Sequence, residues 1–133
     1  GFPGETEEDF IQTLDLVERV GFASAFTFKY SPRKGTRAAT MEEQVPDSVK
    51  RERLHRLNEL QERKSRGNNE KYIGMTGIVH VEDCGFKNEP VCYGKFPNFK
   101  MVYFAGTPEM IGTYIPVTIT NVRKNSLYGK IAE

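Results

Sequence analysis

The chain changes its hydrophobic period once, near Gly67-Asn68-Asn69, and that change divides it into two kinds of sequence. Downstream, short alternating or β-branched runs at residues 75–83, 99–105, 112–122 and 127–132 are separated by Gly, Pro and Asn signals, the pattern of a small antiparallel barrel. The cleanest run is 113–122, where Ile115, Val117 and Ile119 alternate with Tyr114, Pro116, Thr118 and Thr120, so one face can be buried. Pro116 has no N–H and points to an edge or a bulge. Five short strands in about 60 residues suit an OB-like fold.

Upstream the pattern is helical. Gly1-Phe2-Pro3-Gly4-Glu5-Thr6 is a turn. Thr6 is placed to cap a helix whose first turn carries Glu7, Glu8 and Asp9, where the helix dipole favours negative charge. Phe10, Leu14 and Val17, widened by Ile11 and Val20, form its apolar stripe, and Gly21 stops it. Residues 23–30 (ASAFTFKY) read as a buried strand. Because such strands need neighbours, residues 1–38 are expected to be the tail of a β/α domain. A second helix is expected from Val45-Pro46, with Val49, Leu54, Leu57 and Leu60 inward and charge outward. The Gly-Asn-Asn step is expected to end it.

A length of 133 residues holds one ordinary domain, or a small domain plus a fragment of another. There is neither an apolar run long enough to span a bilayer nor a signal peptide, and a cytoplasmic location is the expectation, with no membrane partner. The net charge of +1 gives no whole-chain argument for nucleic acid. Locally, Lys50, Arg51, Arg53, Arg56, Arg63, Lys64 and Arg66 outnumber Glu52, Glu59 and Glu62, a pattern that solvated helices share. The two cysteines, Cys84 and Cys92, fit no zinc spacing. They are expected to be reduced thiols, with a disulfide or a metal role as the alternative, and no metal ligand is assigned.

Barrels of this size bind RNA by combining cations that follow phosphates with rings on which bases stack. The closing module supplies Lys95, Lys100, Arg123, Lys124, Ser126 and Lys130, interleaved with Tyr93, Phe96, Phe99, Tyr103 and Tyr128. Against this stands the bland reading that any surface shows lysines and that several of these rings fill the barrel.

Four segments in order carry a family resemblance: GFPGETEEDF (residues 1–10), SAFTFKYSPR (24–33), QVPDSVKRERLHRL (44–57) and the closing stretch 112–131. The chain resembles the C-terminal part of the radical-SAM tRNA methylthiotransferases, in the branch that acts on C2 of N6-isopentenyladenosine beside the anticodon. The resemblance implies an α+β fragment: residues 1–38 as the remnant of a radical-SAM β/α barrel, 39–68 as a linking helix region, and 69–133 as the OB-like RNA-binding barrel called TRAM. It implies an enzyme with two 4Fe-4S clusters and S-adenosylmethionine. One of those clusters is held by a C-x3-C-x2-C motif that is absent here, so this stretch alone is expected to bind no cluster, to hold no catalytic residue and to be inactive.

Gly4, Glu5, Tyr30 and Arg33 match the GFPGET and YSPR segments, which in the family lie on the chemistry-bearing face of the barrel. They are the cofactor-binding candidates, with Gly4 and Thr6 read equally as shaping and capping a helix. Lys34 and Arg37 stand where the family pattern YSPRPGTPAA has prolines, which implies a less rigid loop. The partners implied are the anticodon arm of tRNA and the upstream radical-SAM domain, with a homodimer through the truncated α/β part as a further candidate. The alternative is the sister family that modifies a ribosomal-protein aspartate and grips protein. A third reading is a module that only docks on its parent barrel.

Overall fold

A computed structural model describes residues 1–86 and 89–133. It divides into two compact units, Gly1–Lys64 and Ser65–Glu133.

In the first unit, helix α1 spans Glu7–Val20. Thr6 caps it as the sequence implies: its hydroxyl accepts from the Asp9 N–H at 3.2 Å, and the Asp9 carboxylate accepts from the Thr6 N–H at 2.9 Å. Gly21 takes the left-handed conformation that ends the helix (φ 64°). Phe10 and Val17 are buried, whereas Ile11, Leu16 and Val20 are half exposed.

Residues 23–30 form no strand. The expectation of a buried strand is therefore corrected, with Phe26 94% and Phe28 84% exposed. The physical reason is that a strand is defined by its neighbours, and no other segment of this unit offers a paired edge.

Helix α2 spans Asp47–Glu70 and runs through the Gly-Asn-Asn step that was expected to stop it. A helical glycine costs only about 1 kcal/mol relative to alanine, and Asn69 is held by partners of its own. Its Nδ2 donates to the Lys124 carbonyl at 2.9 Å, and its Oδ1 accepts from Lys100 Nζ at 2.6 Å. The buried face of α2 is also more polar than its leucine stripe suggests, since Lys50 and Arg53 lie on it beside Leu60 and Gln61.

The second unit is a closed barrel of five strands: β1 (Thr76–Phe86), β2 (Glu89–Lys95), β3 (Met101–Ala105), β4 (Tyr114–Arg123) and β5 (Ser126–Ile131), in the order β1-β2-β3-β5-β4. An odd number of strands cannot alternate direction all the way round a ring. The one parallel contact falls between β3 and β5, and the other pairs are antiparallel. The long β1 serves two neighbours, β4 with its first half and β2 with its second, and its register with β2 shifts between Val81 and Asp83 and again between Cys84 and Phe86.

Alternation in β4 places Val117 and Ile119 inward with Val79, Val81, Val102, Phe104 and Leu127. Pro116 lies within β4 of a closed barrel, opposite Ile78 and beyond the last β4–β5 register pair. Two glycines make the closure possible. A Cβ on Gly94 would lie 1.9 Å from the His80 carbonyl oxygen, and one on Gly129 would lie 2.5 Å from that of Thr118.

Cys84 and Cys92 face each other across β1 and β2 and form a disulfide, which corrects the expectation of free thiols. Directly opposed positions of an antiparallel pair bring the two side chains together, a juxtaposition that their sequence spacing hid. No helix among the described residues is long and apolar enough to cross a membrane.

Candidate nucleic-acid interface

The outer surface of the barrel carries a row of three tyrosines. Tyr93 on β2 is the register partner of Tyr103 on β3, and Tyr103 is the partner of Tyr128 on β5. Their ring centroids are 5.8 and 5.3 Å apart, the second pair nearly parallel at 19°. Cross-strand aromatic pairs at these separations are attractive. The guanidinium of Arg123, at the end of β4, lies 5.3 Å from the centre of the Tyr128 ring, which extends the row with a cation. The result is a strip across three strands, half exposed, with phenol oxygens along it.

The sequence-derived cations distribute unevenly around this strip. Ser126 is the register partner of Arg123, and Lys130 lies two residues beyond Tyr128 on the outer side of β5, opposite Thr118. Lys95 is two residues beyond Tyr93 on the outer side of β2, with its ammonium 3.0 Å from the Glu82 carboxylate. Lys124 occupies the exposed β4–β5 turn with a left-handed backbone (φ 34°). Arg123, Lys124, Ser126, Lys130 and Lys95 therefore share the region around the row.

Lys100 does not. Its ammonium turns to Asn69, and burial lowers its pKa below the ordinary lysine value. Of the rings, Phe96 is in the core at 7% exposure, whereas Phe99 is 81% exposed. Tyr114 and His80, absent from the sequence-derived set, are also on the outside, as register partners with rings 5.1 Å apart. Their signal was present: Tyr114 is out of phase with the inward Ile115 and Val117.

The basic stretch of α2 is occupied within the chain. Arg53 donates to the Glu5 carboxylate at 2.8 Å and to the Glu5 carbonyl at 3.0 Å, Arg56 reaches Glu7 at 2.7 Å, and Arg51 reaches Asp47 at 3.0 Å. Lys64 pairs with Glu18 and Arg66 with Glu70. The hydrogen bond from Arg56 holds the Glu7 carboxyl below its ordinary pKa, and the Thr6 N–H does the same for Asp9.

The four cofactor candidates do not form one cradle. Gly4 has a positive φ of 84° and donates its N–H to the Glu43 carbonyl, while the Glu5 carboxylate is bound by Arg53. Tyr30 and Arg33 share a separate cavity with Ser31 and Thr36. An iron–sulfur cluster does not fit the residues present, because both cysteines are joined to each other and three or four thiolates are needed.

Comparison with known proteins agrees with the geometry. Residues 70–132 match the family model of the TRAM domain. The chain is 46% identical over 131 residues to the tRNA-2-methylthio-N(6)-dimethylallyladenosine synthase of Fusobacterium nucleatum, covering 98% of this chain and 30% of that protein. It is also 46% identical to the enzyme of the same name from Acetivibrio thermocellus, again over 98% of the chain and 27% of the relative. With that of Oceanobacillus iheyensis it shares 44% over its full length, covering 26% of the relative. The chain thus spans less than a third of the length of these relatives. The five-stranded barrel is the stretch that matches the TRAM domain, in a chain similar over almost its whole length to a part of the tRNA-2-methylthio-N(6)-dimethylallyladenosine synthases.

Proposed function

We propose that this chain is the tRNA-gripping C-terminal region of a radical-SAM methylthiotransferase that acts on C2 of N6-isopentenyladenosine next to the anticodon. The observation that carries the reading is the Tyr93–Tyr103–Tyr128 row with Arg123 over its end. Stacking rings flanked by Lys130, Lys124 and Ser126 supply the two ingredients of single-strand RNA binding, a surface for bases and cations for phosphates. The anticodon arm is the proposed ligand, because its loop presents unpaired bases.

The two clusters and S-adenosylmethionine belong to the upstream radical-SAM domain in this reading, and residues 1–38 are the last part of that domain. Exposed Phe26 and Phe28 support that assignment: an apolar segment of this kind is suited to pairing with neighbouring strands, supplied by the upstream domain or, in its absence, by a second copy of the chain. The cytoplasm, where tRNA is modified, is the proposed location.

The test is a mobility-shift titration of an anticodon stem-loop RNA against the unaltered chain and its Tyr103→Ala and Tyr103→Phe variants. The reading expects binding in the micromolar range, weakened roughly ten-fold by alanine and little by phenylalanine, since the ring does the stacking. Retention of a ribosomal protein in preference to the RNA would move the assignment to the sister family that modifies protein.

A further inference from the structure

A second surface lies beside the tyrosine row and is not used by it. Ile78 and His80 on β1, Tyr114 on β4 and Phe99 in the β2–β3 turn line one groove, with Lys95 and Glu82 at its rim. Its apolar character is unusual for an outer barrel face: Phe99 is 81%, Tyr114 70% and Ile78 49% exposed, in a region where soluble surfaces ordinarily scatter such groups singly. The groove has a volume of about 400 Å³, within the range of small-ligand sites.

Phe99 adds an independent sign. Its backbone is left-handed at φ 63°, a conformation that is strained for a bulky residue and that clusters at ligand-binding sites. The turn is fixed by hydrogen bonds from the Phe99 N–H to the Phe96 carbonyl and from the Phe96 N–H to the Lys100 carbonyl. The ring is thereby held in solvent, where it gains little from the protein itself.

The groove is continuous with the row. Lys95 borders the groove and follows Tyr93 on the same outer side of β2, two residues away, a step of about 7 Å. His80 is the register partner of Lys95. A single strand laid along the tyrosines therefore reaches the groove within about one nucleotide.

We propose that the groove holds one unstacked nucleobase of the RNA strand that runs along the tyrosine row, between the rings of Phe99 and Tyr114, with His80 backing Tyr114. The proposal rests on the RNA-binding reading of the row and adds a second, chemically different contact to it. Glu82 already pairs with Lys95 at 3.0 Å. The groove thus contributes stacking and leaves the charge to Arg123, Lys124 and Lys130.

The test uses the 133-residue chain with fluorescein-labelled oligoadenylates of increasing length, read by anisotropy at several salt concentrations. Phe99→Gly removes the ring and also the left-handed strain, so it raises thermal stability while weakening binding roughly ten-fold, the size of one stacked base. Tyr114→Ala weakens binding similarly, and neither variant changes the salt slope. Failure of the unaltered chain to bind any oligoadenylate overturns the RNA reading and the groove together. Binding that Tyr103→Ala weakens but that Phe99→Gly and Tyr114→Ala leave within about two-fold, well below one stacking contact, overturns the groove alone; a protein partner in the groove would give that result.

Discussion

Replacing Gly94 by alanine tests whether barrel closure depends on the close approach of β1 and β2. The added Cβ would stand 1.9 Å from the His80 carbonyl oxygen and 2.7 Å from Val79 Cγ1, where real contacts stay beyond 3.0 Å. Neither neighbour can swing aside, because one is backbone and the other belongs to a fully buried side chain. The strands must therefore part by about an ångström, at a cost near the upper end of overpacking, roughly 3 kcal/mol.

For a unit of this size each kcal/mol moves Tm by about 4 to 8 °C, so a fall of roughly 12 to 24 °C is expected. Gly67 provides the opposite sign. It lies inside α2, and a methyl group added there would meet nothing within 4 Å, so Gly67→Ala should raise stability by about 1 kcal/mol. Thermal melts read by the near-ultraviolet dichroism of the tyrosine row report on the barrel directly. A Gly94→Ala melt within about 3 °C of the unaltered chain would refute the reasoning, since less than 1 kcal/mol would then separate the two.

Arg53→Met should destabilise the first unit by about 2 to 3 kcal/mol, because it leaves the Glu5 carboxylate without the guanidinium that binds it; urea unfolding followed by far-ultraviolet dichroism measures this, and an unchanged midpoint would contradict it. Glu7 and Asp9 both have folded pKa values below their ordinary ones. Their contribution is accordingly complete above about pH 4 to 5 and lost as pH falls through the depressed values. A Glu7→Gln, Asp9→Asn double variant should flatten that acid limb of the stability curve, and an unaltered limb would assign it to other groups. The Cys84–Cys92 bond predicts no thiol titre in the unreduced folded chain. After reduction, alkylation should reach half-exposed Cys84 before buried Cys92, and two fast thiols without reductant would contradict the pairing.

The parts legible in sequence were those set by local chemistry. Thr6 with Asp9 is a capping signal whatever the fold around it, and the alternation of Ile115, Val117 and Ile119 fixes which side of β4 faces the core. Strand β2 was harder to see: Pro90 and Gly94 interrupt its pattern, and Gly94 is there because two backbones meet. Residues 23–30 misled because an apolar run records what a segment is suited to pair with, not whether a partner is present. The tyrosine row was visible only as composition, since Tyr93, Tyr103 and Tyr128 become neighbours through the β2–β3 and β3–β5 registers. The same holds for the basic stretch of α2, whose cations are bound by carboxylates far away in sequence, such as Glu5 with Arg53.

The central claim, that the outer face around the tyrosine row binds RNA through both rings and cations, is most directly tested by the salt dependence of stem-loop RNA affinity. Arg123, Lys124 and Lys130 are the cations around the row, apart from the Glu82-paired Lys95. About three phosphate contacts to single-stranded RNA give a slope of log K against log salt near −2. Arg123→Gln with Lys130→Gln should bring that slope to a magnitude below about 1, because two of the three phosphates would no longer be neutralised by the protein. A slope unchanged by the double substitution, or binding indifferent to salt, would contradict the account.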